Sequence, residues 1–125
     1  MTGLNRILYV EDEPDIREIG ELALVDVAGF EVAACASGAE ALEKGPAFRP
    51  DLVLLDVMMP GMDGITTFQK LRETPELAET PVIFMTAKVQ TTEVQRYLEM
   101  GALDVIPKPF DPMTLGETIR RIWSR

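Results

Sequence analysis

Five short apolar runs alternate along the chain with segments whose apolar positions recur at helical spacing. The runs that predict strands are residues 7–10, 30–34, 52–55, 82–85 and 105–106. The first, third and fourth are apolar at almost every position, which is typical of strands covered on both faces. The second is interrupted by Glu31 and the fifth is only two residues long. We therefore expect these two strands at the edges of the sheet.

The first two connecting segments carry helix boundary signals. Pro14 stands where a helix tolerates proline in its first turn, and Gly29 is typical of a helix end. Ser37 and Glu40 form a capping box that predicts the start of the second helix, and Gly45-Pro46 predicts its end. The apolar residues expected on the inner face of the first helix are Ile16, Ile19 and Ala23.

The other three segments repeat the helical spacing. Their apolar positions are Ile65, Phe68 and Leu71 in the third helix, Val94 and Leu98 before Gly101 in the fourth, and Leu115, Ile119 and Ile122 in the fifth. Asp111-Pro112 is expected to open the fifth helix, and residues 74–81 to form a helical turn before the fourth strand. Because parallel strands are joined by right-handed crossovers, this order predicts a doubly wound α/β fold, (βα)₅, with helices on both faces of a five-stranded parallel sheet.

Composition and charge exclude several functional classes. Apolar residues make up 46% and charged residues 26%, which is ordinary for a globular domain. The 12 basic and 21 acidic side chains give a net charge of −9, which disfavours direct binding to nucleic acid. The chain has no histidine, so histidine-based catalysis and histidine metal ligands are excluded. A single cysteine, Cys35, is consistent with a reducing compartment.

Nothing in the sequence resembles a leader peptide or a membrane span. Asn5 and Arg6 interrupt the apolar stretch at the N-terminus, and three acidic residues follow at 11–13. The longest apolar runs are the length of strands, far shorter than a bilayer requires. We therefore expect a soluble, cytoplasmic protein with no membrane partner, folded as one domain over residues 1–125.

Polar side chains follow four of the five predicted strands. Glu11 and Asp12 come after the first strand, Asp56 after the third, Thr86 after the fourth and Lys108 after the fifth. Since ligands of such sheets bind beyond the carboxyl ends of the strands, we expect these side chains to form one site. Clustered carboxylates suit a hard cation, above all Mg²⁺, and a carboxylate beside Mg²⁺ can attack a phosphoryl group. An ammonium and a hydroxyl would then stabilise the phosphoryl oxygens.

Structural roles for the same residues remain open at this point. Glu11, Asp12 and Asp63 could each cap the helix that follows. Lys108 could form a plain ion pair with Asp56 or Asp12. A single acid at a strand end is weak evidence for a site, whereas suitable side chains at four strand ends favour one.

With these residues the chain resembles the receiver domain of two-component response regulators. The resemblance rests on motifs along the whole chain: Val10-Glu11-Asp12-Glu13, residues 54–64, Met85-Thr86-Ala87, residues 101–104 and Lys108-Pro109-Phe110. It implies the flavodoxin-like fold with strand order 2-1-3-4-5. It also implies that Asp56 accepts a phosphoryl group from a histidine kinase or a phosphotransfer protein.

The resemblance assigns roles to the remaining site residues. Asp12, the Asp56 carboxylate and the Met58 backbone carbonyl would bind Mg²⁺, with Glu11 acting through a water molecule. The phosphoryl group would accept a hydrogen bond from Thr86 and pair with Lys108. Ala87, which is small, would leave the phosphoryl group accessible. The peptide bond between Lys108 and Pro109 would be cis.

One position departs from the family pattern and affects the expected output. Val105 stands where these domains usually carry Tyr or Phe, whose rotamer follows the Thr86 hydroxyl, and valine has few rotamers and no ring. The resemblance implies a switched protein-binding face on helix four, strand five and helix five, with a downstream protein as target. A homodimer through the same face is left open.

Two other functions compete with this interpretation. A Mg²⁺-dependent phosphohydrolase or phosphotransferase with an aspartate nucleophile commonly carries a second acid two residues later, where this chain has Met58. We therefore expect a phosphoacceptor with at most slow self-catalysed phosphorylation and dephosphorylation, rather than an enzyme. The other competitor is a docking module that works without phosphate, which retention of all five site residues disfavours.

Overall fold

The computed structural model describes residues 3–87 and 90–125. Its strands are β1 (Arg6–Val10), β2 (Glu31–Cys35), β3 (Leu52–Asp56), β4 (Val82–Thr86) and β5 (Asp104–Pro107). Its helices are α1 (Pro14–Leu22, continued by a π-helical turn at Ala23–Val27), α2 (Gly38–Phe48), α3 (Gly64–Glu73), α4 (Thr91–Glu99) and α5 (Leu115–Trp123). In these two described stretches no helix has both the length and the apolar character needed to cross a membrane.

The strands form one parallel sheet in the order β2-β1-β3-β4-β5. This confirms the predicted fold class and strand order, and it places β2 and β5 at the edges as expected. Strands β3 and β4 are buried at every position. The register pairs Asp56 with Met85 and Thr86 with Pro107, so the carboxyl ends of the strands lie side by side.

Helices cover both faces of the sheet and form two cores. Successive residues of a strand point to opposite faces, so each central strand contributes to both cores. One core contains Leu8, Leu55 and Phe84 of the sheet with Phe68 and Leu71 of α3. The residues of the other core include Tyr9, Leu54 and Met85 of the sheet, Leu24 of the π-helical turn and Leu115, Ile119 and Ile122 of α5. The inner face predicted for α5 is therefore confirmed.

The inner face predicted for α1 is wrong at Ile19, which is 46% exposed. The helix lies directly against the sheet at Gly20, where an added Cβ would overlap the Tyr9 ring. The face that contacts the sheet is thus centred on Gly20 and continues through the buried Ala23. The left-handed φ of +83° at Gly29 confirms the predicted end of this segment.

The predicted end of α2 is wrong, because the helix continues through Pro46 to Phe48. A proline removes one backbone donor, but Gly45 packs closely on Leu77 and Leu8, and this tertiary contact holds the helix in place. The left-handed Arg49, with φ of 54°, ends the helix. The Ser37 cap is confirmed, since its Oγ accepts a hydrogen bond from the Glu40 N–H at 3.1 Å.

Two further predictions need correction in the last third of the chain. Tyr97 is the buried residue of α4, whereas Val94 is half-buried and Leu98 is 41% exposed. Helix α5 begins at Leu115 rather than at 111–112, because a turn intervenes in which the Asp111 carbonyl accepts a hydrogen bond from the Leu115 N–H at 3.0 Å.

Candidate functional site

The side chains predicted to form the site lie together at the carboxyl edge of the sheet. The Glu11 N–H donates to the Cys35 carbonyl at 3.0 Å, and the Lys108 N–H donates to the Thr86 carbonyl at 2.9 Å. These bonds continue the parallel ladders one residue beyond the strands. The backbone positions of Glu11 and Lys108 are therefore set by the sheet itself, as is that of Asp56, the last residue of β3.

Three carboxylates converge at this edge. Glu11 and Asp56 are 0% and 2% exposed, and Asp12 is half-buried. One oxygen from each of the three lies within 4.8 Å of the others. Two stretches of chain that are distant in sequence thus supply an all-oxygen cluster of the kind that hard divalent cations prefer.

Lys108 extends its amine into the same cluster. Its Nζ lies 2.8 Å from Glu11 Oε1 and 3.3 Å from Asp56 Oδ2, and the lysine side chain is 16% exposed. The ion pair with Asp56, which the sequence left open, is present. The shorter ion pair joins Lys108 to Glu11, a partner that the sequence did not indicate.

The protein environment raises the pKa of both Asp56 and Lys108. Burial of Asp56, together with the negative charge of Glu11, raises the pKa of Asp56 to about 7, although Lys108 counteracts part of the rise. Burial of Lys108 opposes its charged form, but its hydrogen bond to Glu11 and the charge of Asp56 raise its pKa overall. The Lys108 ammonium thus offsets part of the negative charge of these close carboxylates.

The loop after β3 packs closely around Asp56. The Met58 N–H donates to Asp56 Oδ1 at 3.2 Å, while the Met58 side chain is 58% exposed. The Asp63 carboxylate accepts a hydrogen bond from the Thr66 N–H at 2.8 Å and caps α3. Of the three acids that could be caps, Asp63 therefore has that role.

The remaining predicted residues surround the cluster. Thr86 is fully buried at the end of β4, and Ala87 beside it is exposed. The peptide bond between Lys108 and Pro109 is cis. Val105 is partly buried and pairs in register with Phe84 of β4.

Two residues of the site were missed by sequence reasoning. An added Cβ at Gly64 would overlap the Asp56 carbonyl and the Val57 Cα, so glycine allows α3 to start against the site. The available signal was the glycine directly after the Asp63 cap. Arg17 Nη1 donates to the carbonyls of Glu11 at 2.9 Å and Asp12 at 3.3 Å. Its sequence position on a helix offered no comparable signal.

Comparisons with known proteins agree with this geometry. The profile of the response regulator receiver domain matches residues 7–120. The chain is 40% identical over 125 residues to the transcriptional regulatory protein CseB of Streptomyces coelicolor, covering 100% of this chain and 52% of that protein. It is 41% identical over 119 residues to the DNA-binding response regulator MtrA of Mycobacterium tuberculosis, covering 95% of this chain and 50% of that protein. The chain thus spans about half the length of the curated relatives it matches.

A solved structure supports the same conclusion over nearly the full length of both chains. Chemotaxis protein CheY4 of Vibrio cholerae superposes with a TM-score of 0.87 at 33% identity, covering 96% of this chain and 99% of that one. The family profile, the curated relatives and the fold agree. The chain therefore belongs to the response regulator receiver domains of two-component signal transduction.

Proposed function

We propose that Asp56 is the phosphoacceptor and receives its phosphoryl group from a histidine kinase or a phosphotransfer protein. The observation that carries this proposal is the position of a buried carboxylate, with a pKa of about 7, among two further acids and the Lys108 amine. An Asp56 oxygen attacks phosphorus while the bond to the donor imidazole nitrogen breaks. The product is an acyl phosphate, and the released imidazole carries away the bonding electron pair and takes up a proton.

The acid cluster is proposed to hold Mg²⁺ through Asp12, the Asp56 carboxylate and the Met58 backbone carbonyl. When bound, the cation offsets the negative charge of the phosphoryl oxygens. Glu11 Oε1 accepts from Lys108 at 2.8 Å, and its Oε2 accepts from the Glu13 N–H at 3.2 Å. We propose that Glu11 keeps these two contacts and acts on the cation through a water molecule.

Thr86, Lys108 and Ala87 are proposed to receive the phosphoryl group. Thr86 ends the strand next to Asp56, and its hydroxyl is of the type that donates to a phosphoryl oxygen. The Lys108 amine, 3.3 Å from Asp56 Oδ2, would pair with the new phosphoryl oxygens. The small, exposed Ala87 leaves room for the donor.

The protein is proposed to act as a phosphorylation-controlled binding module rather than an enzyme of metabolism. Met58, with its exposed thioether, occupies the place two residues after Asp56 where a second acid would serve hydrolysis. Self-catalysed phosphorylation and dephosphorylation would therefore be slow. Rapid multiple turnover of small phosphate esters in a phosphatase assay would instead favour the phosphohydrolase alternative.

Partners and location follow from the same proposal. We propose that residues 1–125 form one receiver domain that acts in the cytoplasm and signals to a downstream protein, or to a second copy, through α4, β5 and α5. The net charge of −9 argues against direct nucleic-acid binding by this chain. The DNA binding in the name of MtrA is a property of that protein, of which this chain covers 50%.

Intact-mass measurement after treatment with acetyl phosphate and Mg²⁺ tests the phosphoacceptor assignment. The wild type should gain one phosphoryl group and Asp56→Asn should gain none. Asp63→Asn is the matched control, since Asp63 is an exposed acid of the same loop that caps α3. Equal labelling of Asp56→Asn and wild type would refute the assignment.

A further inference from the structure

Arg17 links the first helix to the backbone of the acidic loop. Its Nη1 donates to the Glu11 carbonyl at 2.9 Å and to the Asp12 carbonyl at 3.3 Å. The Arg17 N–H also donates to the Glu13 carbonyl at 2.8 Å. Two consecutive carbonyls of the loop therefore bind the Arg17 guanidinium, and the third binds its backbone N–H, as at the start of any helix.

These contacts restrict the direction of the Asp12 side chain. A carbonyl held by a charged donor fixes the plane of its peptide unit, and two held planes flank the Asp12 Cα. The Glu11 carboxylate has partners of its own in Lys108 and the Glu13 N–H. The direction of the Asp12 Cα–Cβ bond thus depends on the backbone, and Arg17 holds the peptide units on both sides of it.

The positive charge of Arg17 weakens cation binding, whereas its hold on the loop would strengthen it. A guanidinium near the acid cluster repels a divalent ion, so loss of this charge alone would strengthen cation binding. Arg17 is half-buried, and solvent screens part of its charge. The direction of the change in cation affinity therefore distinguishes a positioning role from a purely electrostatic one.

We propose that Arg17 is a positioning residue for the divalent cation. It holds the carbonyls of Glu11 and Asp12 so that the Asp12 carboxylate faces Asp56 before the cation binds. The inference rests on the proposed function, because it needs the acid cluster to be a cation site. It extends that function to a residue that touches neither the cation nor the phosphoryl group.

Calorimetric titration with Mg²⁺ compares the wild type with Arg17→Gln, Arg17→Lys and Arg72→Gln. Arg72 is the matched control, since its Nη1 also donates to two carbonyls, those of Leu77 at 3.3 Å and Thr80 at 2.8 Å, in the connection before β4. Loss of a group that orients a metal ligand typically costs 10- to 100-fold in affinity. We expect Arg17→Gln to bind Mg²⁺ about tenfold more weakly, Arg17→Lys to retain part of the affinity, and Arg72→Gln to match the wild type.

A second measurement separates positioning from chemistry. Phosphorylation of Arg17→Gln by acetyl phosphate should fall below that of the wild type at limiting Mg²⁺ and recover as Mg²⁺ is raised, since cation affinity is what is lost. A deficit that does not change with Mg²⁺ concentration would overturn the positioning role. Circular dichroism checks the fold of each variant, and Arg17→Lys decides the question if Arg17→Gln does not fold.

The outcomes separate this inference from the proposed function. If the wild type binds no Mg²⁺, the cation site itself fails. If the wild type binds Mg²⁺ but Arg17→Gln binds it equally or more tightly, only the role of Arg17 is overturned. An equal loss of affinity in Arg72→Gln would also overturn it, because the effect would then be general destabilisation.

Discussion

The rings of Tyr97 and Phe84 pack edge to face, with centroids 5.2 Å apart and planes at 64°. Phe84 also packs on Phe68 at 5.4 Å, so an aromatic row crosses from α3 over β4 to α4. Phe84 is the register partner of Val105. On this face of the sheet the large side chain is therefore Tyr97 of α4. The small one is Val105 of β5, at the position where the resemblance implies an aromatic residue.

We expect Val105→Tyr to lower the free energy of unfolding by about 1–3 kcal/mol, because the space beside Phe84 is already filled by Tyr97. Tyr97→Ala should cost about 3–4 kcal/mol through loss of its buried ring. In the double variant the new tyrosine ring fills the space vacated by Tyr97. The double variant should therefore lose less free energy of unfolding than the two single variants lose together. Urea denaturation measures all three, and strictly additive losses would contradict the packing exchange.

Loss of the Lys108 amine should destabilise the fold near neutral pH. Lys108→Ala leaves Glu11 and Asp56 without their ammonium, and breaking such a buried pair costs about 3–5 kcal/mol. Added Mg²⁺ should recover part of the stability, because the cation replaces the missing positive charge. Lys44→Ala is the control, since Lys44 pairs with Glu40 on an exposed helix face, and it should show little change in thermal unfolding. Equal effects of the two variants would contradict this account.

The pKa of Asp56 predicts how stability depends on pH. Because its pKa rises from 3.8 in the unfolded chain to about 7 in the folded one, the folded state binds the extra proton between these values. The Asp56 contribution to stability therefore falls as pH rises from about 4 to 7.

Asp56→Asn removes this titration. It should be more stable than the wild type by roughly 2–4 kcal/mol at pH 8, and the difference should shrink towards pH 4. Mg²⁺ should also reduce the difference at pH 8, because it stabilises the charged Asp56. Urea denaturation between pH 4 and pH 8 measures this difference in the free energy of unfolding. A difference that is constant with pH would show that Asp56 titrates normally.

Gly64→Ala tests the close contact between α3 and the site. The new methyl would overlap the Asp56 carbonyl and the Val57 Cα, so the loop must shift. We expect a loss of about 1–3 kcal/mol in the free energy of unfolding, together with weaker Mg²⁺ binding. Gly3→Ala is the control, because among the described residues, chain neighbours aside, no atom lies within 4 Å of a Cβ added there. Wild-type stability and Mg²⁺ affinity in Gly64→Ala would show that the loop accommodates the methyl.

Features with a local cause were predictable from the sequence. The buried strands β3 and β4 showed as unbroken apolar runs, and the Ser37 cap showed as a capping box. Features that depend on a distant partner were not. Pro46 predicts a helix end until Gly45 is packed on Leu77, and the spacing of Val94 and Leu98 does not show that Tyr97, which meets Phe84, is the buried residue of α4.

The sequence by itself determined which chemical groups the site contains and at which edge of the sheet they lie. Acids, a hydroxyl and a lysine follow the strands, and parallel strands bring their carboxyl ends to one edge. Only the tertiary structure decided that Lys108 pairs most closely with Glu11, that burial raises the pKa of Asp56 and that Arg17 holds the acidic loop. The reason is that hydrophobic periodicity reports which face of an element is covered, whereas partners and burial depend on how elements distant in the chain pack together.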